Sequence, residues 1–333
     1  MNYDAVLVLS FGGPEKKEDV IPFLENVLRG KNVPRARMLE VAEHYYHFDG
    51  RSPINAQNRE LIAALEAELV RHGPRLPVYW GNRNWHPLLT DTLRVMKKDG
   101  VRRALAFATS AYSSYSGCRQ YLEDIAHARA EMGDDAPEID KLRTFHNHPG
   151  FIAAMAARIS GALAEMPSER REAAHLVYTA HSIPLSMAWH SRYVKELEET
   201  CALVSHALGR NGDPLVYQSR SGHPSQAWLG PSILDYLRGL PAREISDVVI
   251  APAGFLSDHL EVLYDLDTEA KALCDELGIR MARASTVGSH PEFIAMIRDL
   301  ILERVEQNHR RKALGVMGPS PDFCPADCCL PPQ

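Results

Sequence analysis

The sequence is poor in the features that mark several common classes of protein. Its 37 Lys and Arg residues are outnumbered by 43 Asp and Glu residues and form no basic block, which argues against nucleic acid as a partner. No stretch approaches the roughly 18 continuous apolar residues of a membrane-spanning helix, and Met1–Asp4 lacks the basic start of a signal peptide. We therefore expect a cytoplasmic protein whose six cysteines are mostly reduced thiols rather than a disulfide framework.

The bulk composition is that of a folded globular protein. Hydrophobic residues make up 45% of the chain and charged residues 24%, which argues against disorder. Because domains typically span roughly 100–200 residues, the length of 333 residues predicts two domains, each able to bury its own core.

Four short apolar runs alternate with helical patterns along the chain. The runs Ala5–Ser10, Ala104–Ser110, Leu176–Ala180 and Asp247–Ala251 are typical of parallel strands buried on both faces. Helical spacing of apolar residues predicts helices over Asp19–Leu28, Asn58–His72, Gln120–Met132, Gly150–Met166, Ala188–Leu208, Leu260–Leu277 and Pro291–Gln307. The alternation predicts an α/β fold with doubly wound parallel sheets.

An internal repeat supports the division into two domains. The segment His148–Ala153 (HPGFIA) recurs as His290–Ala295 (HPEFIA), and each copy follows an apolar run at the same spacing. We therefore predict similar α/β halves at residues 1–150 and 151–310, followed by a tail at 311–333. We also expect the helix that reaches beyond residue 300 to pack back on the first half.

Residues that directly follow the predicted strands are the first candidates for function, because open parallel sheets bind ligands at these ends. Gly12 and Gly13 follow the first strand but match neither a dinucleotide fingerprint nor a Walker loop, so nucleotide binding is not supported. His181 follows the third strand. It could be a structural core residue, but its position at the ligand-binding edge favours proton transfer or metal binding.

A row of carboxylates follows the fourth strand. Glu261, Asp265 and Glu269 recur every four residues, so a helix would place them on one face, next to Asp258 and His259. A solvated helix face is the ordinary explanation. Because like charges at this spacing repel, a path for a divalent cation is the sharper hypothesis.

Aromatic residues are concentrated near the same strand ends. They include Tyr45, Tyr46, Phe48, Trp80, Trp85, Tyr112, Tyr115, Tyr121 and Trp189. Such residues are often simply core, but aromatic walls with Arg, Ser and Tyr at the rim also suit a large flat ligand with peripheral carboxylates.

Several long motifs in one order cover most of residues 3–300. They read LVLSFGGP, FLENVLRG, VAEHYYHFDGRSPIN, WGNRNWHP, FATSAYSSYSGC, YTAHSIP, YQSRSG and GFLSDHLEVLYDLD. Together they resemble the ferrochelatase family, whose members insert ferrous iron into a porphyrin during haem synthesis. The resemblance is to the actinobacterial type, which is similar to enzymes that metallate coproporphyrin III.

The resemblance implies two Rossmann-like domains with the active-site cleft between them, and it assigns residues to the reaction. By position, His181 matches the family's catalytic histidine and Glu261 the glutamate opposite it. Asp265, Glu269 and His259 match further positions along the iron path, so these five residues are the predicted metal contacts. Which of His181 and Glu261 takes protons and which holds iron is left open.

Predicted contacts to the porphyrin lie in four motifs. They are Phe11, Arg51, Ser52, Tyr115 and Trp189. Phe11 stands where some Gram-positive relatives carry a tyrosine, so a phenolate ligand from that position is excluded.

The segment after the first helix predicts which porphyrin is used. In Asn26–Tyr45, Arg29, Lys31, Arg35 and Arg37 stand among few large apolar residues. Such a polar lip suits the four-carboxylate coproporphyrin III, with protoporphyrin IX as the alternative. A non-catalytic tetrapyrrole or metal carrier and a cobalt or nickel chelatase are the other candidates. Beyond porphyrin and iron, transient contact with neighbouring haem-pathway enzymes is expected.

Three of the six cysteines, Cys324, Cys328 and Cys329, lie within the last ten residues. Thiolates at this density suit zinc or an iron–sulfur cluster. The resemblance implies a [2Fe–2S] cluster with Cys118 as the fourth ligand. Cys201 and Cys274 lie within helical patterns and are expected to be ordinary packed residues.

Overall fold

Parallel strands form two separate four-stranded sheets in the computed structural model, which describes residues 3–30, 33–221, 226–306, 308–325 and 327–331. In spatial order, the first sheet contains β2 (Val78–Asn82), β1 (Ala5–Ser10), β3 (Arg103–Ala108) and β4 (Glu138–Lys141). The second contains β6 (Leu215–Gln218), β5 (His175–His181), β7 (Asp247–Ala251) and β8 (Arg280–Arg283). The α/β prediction is confirmed.

The two sheets have the same topology. In each, the chain goes from the first strand to one neighbour and then crosses back to the other side, as β1 to β2 and then β3. The direction of winding therefore reverses beside β1 in one sheet and beside β5 in the other. In doubly wound sheets this reversal opens a crevice at the carboxyl ends of the strands, where ligands bind.

Helices cover both faces of the sheets. The α-helices are α1 (Val20–Val27), α2 (Arg35–His47), α3 (Ile54–His72), α4 (Leu89–Lys98), α5 (Gln120–Met132), α6 (Pro149–Glu165), α7 (Leu185–Trp189), α8 (Tyr193–Ala207), α9 (Ile233–Arg238), α10 (Leu260–Val262), α11 (Lys271–Glu276) and α12 (Pro291–Val305). No helix in the described part of the chain combines the length and apolarity needed to cross a bilayer.

Two of the predicted helices differ from the structure. Ala188–Leu208 is interrupted between α7 and α8. Leu260–Leu277 is regular only at its ends, because Leu263–Ala270 is a π-helix, as is Tyr115–Arg119 before α5. π-Helical turns are rare and frequently occur at functional sites.

One hydrophobic core connects the two halves. It combines Phe107 of β3 with Tyr178 of β5 and includes residues of α3, α6 and α12. In α12, Phe293 and Ile297 are fully buried in this core. Arg298 also donates to the carbonyls of His72 and Gly73 at the end of α3. The division at about residue 150 stays a prediction.

Candidate active site

His181 and Glu261 lie next to each other at the ends of neighbouring strands. His181 ends β5, and Glu261 lies in α10, shortly after β7, the parallel partner of β5. The His181 Nε2 atom is 3.4 Å from Oε2 of Glu261, and the two side chains are 31% and 46% exposed. The pair is therefore open to the crevice rather than enclosed in the core.

The imidazole of His181 is held in one orientation. Its Nδ1 atom lies 2.5 Å from the carbonyl oxygen of Ser182, so Nδ1 carries the hydrogen and Nε2 faces Glu261. Burial lowers the pKa of His181, but the charge of Glu261 and its hydrogen bond outweigh burial and raise the pKa above its usual value. Gly254 makes this geometry possible, because a Cβ there would lie 2.7 Å from the Cα of Ala180.

Glu261 is a carboxylate with a strong preference for the charged form. Burial raises its pKa, but the charge and hydrogen bond of His181 outweigh it and lower the pKa to about 2. His259 sits at the start of the same helix, where its Nδ1 accepts the N–H of Glu261 at 3.1 Å. Burial lowers the pKa of His259, which keeps its ring neutral.

The acidic row continues from Glu261 along the π-helix. Asp265 accepts hydrogen bonds from the Ser219 hydroxyl and, at 3.3 Å, from the Gln218 amide. Burial raises the pKa of Asp265 to about 7, with the charges of Glu261 and Glu269 adding to the effect. Burial also raises the pKa of Glu269. Because a π-helix has more than four residues per turn, side chains four apart still share one face.

An aromatic cluster from the first half lies opposite the pair. Phe23 makes edge contacts with Phe11, Tyr45 and Trp85 at ring-centroid distances of 6.2, 5.7 and 6.3 Å. Burial raises the pKa of the Tyr45 phenol, and the charge of Glu261 raises it further. Tyr45 therefore lies in the wall that faces Glu261. In the sequence it was among the candidate aromatic wall residues, but not among the predicted porphyrin contacts.

A stacked contact joins the same wall to the π-helix. The His44 ring of α2 lies 3.8 Å from that of Tyr264, with only 9° between their planes. Helix α2, which lies in the predicted lip segment, therefore contacts the π-helix Leu263–Ala270 across the crevice.

The five predicted porphyrin contacts have different environments. Phe11 is 37% exposed and Trp189 is 76% exposed, so both offer apolar surface. Arg51 is exposed, whereas Ser52 is buried against the Gly12–Pro14 turn through its N–H bond to the Pro14 carbonyl. The Tyr115 hydroxyl donates to Glu123 at 2.9 Å. The structure groups Phe11 with the aromatic wall, and these contacts stay predictions.

The predicted cationic lip is partly neutralised. Arg37 pairs with Glu40 at 2.7 Å and Arg35 approaches Glu25 at 4.0 Å. Arg29 donates to Asn26 at 2.5 Å. Lys31 lies outside the described residues.

The predicted cluster cysteines gather at one place. The Sγ atoms of Cys328 and Cys329 are 3.5 Å apart. Cys118 is buried, and burial together with the charges of Cys328 and Cys118 raises the pKa of Cys324 to about 11. The described residues nevertheless contain no group of three or more His, Cys, Asp or Glu side chains already spaced to hold a metal ion. Cys201 and Cys274, expected to be ordinary core or surface residues, are buried within helices.

Hydrogen bonds fasten the tail to both sides of the crevice. Arg119, which ends the π-helix containing Cys118, donates to the Cys328 carbonyl at 3.1 Å. The Cys329 N–H donates to the carbonyl of His190, directly after α7. The tail therefore contacts a segment of each half.

Glu199 of α8 holds the start of the tail. One carboxylate oxygen accepts the N–H groups of Val316 and Met317 at 2.8 and 3.0 Å. The other accepts from His146 and Asn147 at 3.1 and 3.0 Å. Sequence reasoning missed this attachment, because Glu199 stands in an ordinary helical pattern.

Two solved structures share this fold. SirB from Bacillus subtilis, solved with Fe3+, aligns with a TM-score of 0.56 at 12% identity, covering 93% of this chain and 100% of its own. DR2241 from Deinococcus radiodurans, described as structurally similar to chelatases, aligns with a TM-score of 0.55 at 16% identity over 96% of this chain and 57% of its own. The architecture is that of the chelatases.

Sequence comparison defines the family. A family model described as Ferrochelatase matches residues 3–305. The ferrochelatase of Rhodopirellula baltica is 56% identical over 329 residues, which cover 98% of this chain and 93% of the relative. The coproporphyrin III ferrochelatases of Streptomyces coelicolor and Nocardia farcinica are 50% and 48% identical, covering 98% and 99% of this chain and 93% and 97% of their own. The chain belongs to the ferrochelatase family.

Proposed function

We propose that the protein inserts Fe2+ into coproporphyrin III to give coproheme in haem biosynthesis. The observation that carries this proposal is the contact of His181 with Glu261 at 3.4 Å, open to the crevice and continuous with an acidic helix. A basic nitrogen and a carboxylate at one point, with a cation path behind them, suit a reaction that exchanges two protons for a dication.

Each pyrrole N–H of the porphyrin must lose its proton as the metal enters. Because Nδ1 of His181 donates to Ser182, Nε2 is the atom free to take a proton from the porphyrin. The charge of Glu261 and its hydrogen bond raise the pKa of His181, which makes this nitrogen a stronger base. General-base help of this kind is typically worth about 10²–10⁴-fold in rate.

Asp265 and Glu269 form the route to the pair. With a pKa of about 7, the Asp265 carboxyl exchanges protons at neutral pH and binds a cation in its deprotonated form. Asp265 is therefore suited to pass iron towards Glu261 and to pass protons away from it.

The opposite wall binds the macrocycle. A flat porphyrin shields its nitrogen lone pairs, so an enzyme that binds a buckled ring stabilises the transition state more than the substrate. The rings around Phe23, including Phe11 and Tyr45, provide an apolar surface of that kind.

The choice of coproporphyrin III rests on the polar lip and on the names of the Streptomyces and Nocardia relatives. The test is anaerobic iron insertion with coproporphyrin III and protoporphyrin IX, using wild type, His181→Ala and the matched control His127→Ala, whose ring is exposed on α5. We expect higher kcat/KM for coproporphyrin III and a loss of activity only in His181→Ala.

Three results would contradict the proposal. Preference for protoporphyrin IX would overturn the substrate, and near wild-type turnover of His181→Ala would overturn the role of His181. Stoichiometric binding without turnover would identify a carrier.

We further propose that Cys118, Cys324, Cys328 and Cys329 bind a [2Fe–2S] cluster. Two thiolates bound to one metal at about 2.3 Å in tetrahedral geometry lie about 3.8 Å apart, close to the 3.5 Å between Cys328 and Cys329. Cys118 and Cys324 interact electrostatically with this pair, although the four thiols are not spaced as a metal site. A bound cluster would supply a one-electron redox centre and a covalent attachment for the tail.

The cluster is tested by visible absorption and by iron and sulfide analysis after anaerobic purification. We expect Cys118→Ala to abolish both signals, with Cys201→Ala as the matched buried control. A colourless, iron-free wild-type protein would refute the cluster. Because all six cysteines are free thiols, we also propose a reducing, cytoplasmic location.

A further inference from the structure

Arg283, at the end of β8, binds two carboxylates from different parts of the active-site segment. Its Nε and Nη2 atoms donate to Asp267 at 2.6 and 2.9 Å. Its Nη1 atom donates to Asp258 at 3.1 Å and to the Ala284 carbonyl at 3.3 Å. The Arg283 and Asp258 side chains are each only 15% exposed, so their contact is largely buried, whereas Asp267 is exposed.

Of the two carboxylates, Asp258 precedes the proposed iron contacts in the sequence, and Asp267 lies between Asp265 and Glu269. Asp258 directly precedes His259, the residue that caps the helix carrying Glu261. The Asp258 N–H is also held at 2.8 Å by Gln57 of the first half, so this loop is fixed from two directions.

Asp267 lies on the back of the acidic helix. It is two residues from both Asp265 and Glu269, which is close to half a turn in a π-helix, so it points away from the row that those residues form. The guanidinium therefore holds the back of the helix while the front faces the crevice.

We propose that Arg283 is a positioning residue for iron delivery, which orients the Glu261–Asp265–Glu269 row by tying the loop before α10 to the back of the π-helix. The inference rests on the proposed iron insertion. A planar guanidinium can bind one carboxylate through two nitrogens and still reach a second, whereas a lysine ammonium cannot reproduce that geometry. The single positive charge of Arg283 also offsets part of the negative charge of Asp258 and Asp267, neither of which belongs to the row.

The test compares Arg283→Gln and Arg283→Lys with Arg280→Gln, a matched control on the same strand. Arg280 is about half exposed and lies 3.9 Å from Asp247, away from the row. The readouts are separate KM values for Fe2+ and porphyrin, kcat, and Co2+ titration of the porphyrin-free protein by visible absorption. A misplacement of about 1 Å in a reacting group can cost about 10²-fold.

We expect Arg283→Gln to raise the KM for Fe2+ and weaken Co2+ binding at least about ten-fold, with the KM for porphyrin changed less than about two-fold. Arg283→Lys should give a smaller change of the same kind, and it serves as the test if Arg283→Gln does not fold. Equal KM values for Fe2+ in Arg283→Lys, Arg280→Gln and wild type would overturn the inference. A wild-type protein that binds Co2+ through this row but does not insert iron would refute the proposed function alone.

Discussion

His148 provides a pH-dependent contribution to stability that can be isolated by a single substitution. Its ring caps α6, where Nδ1 accepts the Gly150 N–H at 3.2 Å. The side chain is 1% exposed, and its Nε2 has no hydrogen-bond partner in the described part of the chain. Burial, together with the positive charge of Arg143, lowers its pKa from 6.5 to about 4, despite the nearby Asp299 carboxylate.

The sign and size of the effect follow from this pKa. Between pH 6.5 and 4 the unfolded chain binds a proton that the folded chain does not, so stability is complete above pH 6.5 and falls as the pH decreases. With these two pKa values, the contribution of His148 at pH 4.5 is about 2.5 kcal/mol lower than at pH 7.5. His148→Asn keeps an effective helix cap but removes the titrating ring.

Urea unfolding at pH 7.5 and 4.5 measures this difference. We expect wild type to lose about 2.5 kcal/mol more than His148→Asn over this range. His290 is the matched control, since it caps α12 through Glu292 in the repeated motif but is only partly buried. Because burial also lowers the pKa of His290, but with less burial than at His148, His290→Asn should remove a smaller part of the loss. Losses that agree within about 0.5 kcal/mol between wild type and His148→Asn would refute the reasoning.

Three further predictions use other contacts of the structure. Glu199→Ala removes the carboxylate that holds the tail, so trypsin should cut the tail at least about ten times faster, whereas the exposed neighbour Glu198→Ala should not change the rate. Arg143→Met removes the closest partner of the buried Glu303 carboxylate, leaving Arg311 at 3.5 Å, and should cost about 3–5 kcal/mol of unfolding free energy in urea. Ser219→Ala removes a hydrogen bond that lowers the pKa of Asp265, so the acid limb of iron insertion should move to higher pH. The same pH profile of iron insertion in Ser219→Ala and wild type would contradict this prediction.

The central strands could be predicted from sequence, whereas the edge strands could not. β1, β3, β5 and β7 are buried on both faces, which produces continuous apolar runs. The edge strands are short and partly exposed, and β8 (RMAR) has no apolar signal of its own. Its place in the sheet depends on pairing with β7, which local sequence does not encode.

The candidate site was predictable where the chain places chemistry directly after a strand. His181 was singled out this way and Glu261 through its carboxylate row, the resemblance assigned both to the reaction, and the structure brings them into contact. Tyr45 was harder to identify, because it lies in α2, more than 130 residues before His181 in the sequence. The π-helix was missed, since spacings of four residues fit a regular helix equally well.

The packing of α12 has a consequence for synthesis on the ribosome. Leu65 and Leu69 of α3 share one core with Ile297 and Ile301 of α12. The apolar face of α3 therefore leaves the ribosome well before α12, the helix that packs on it, has been synthesised. At about 5–20 residues per second, that face waits roughly 10–50 s for its partner. The nascent chain should bind chaperones at α3 during this interval and release them once residue 305 has been translated.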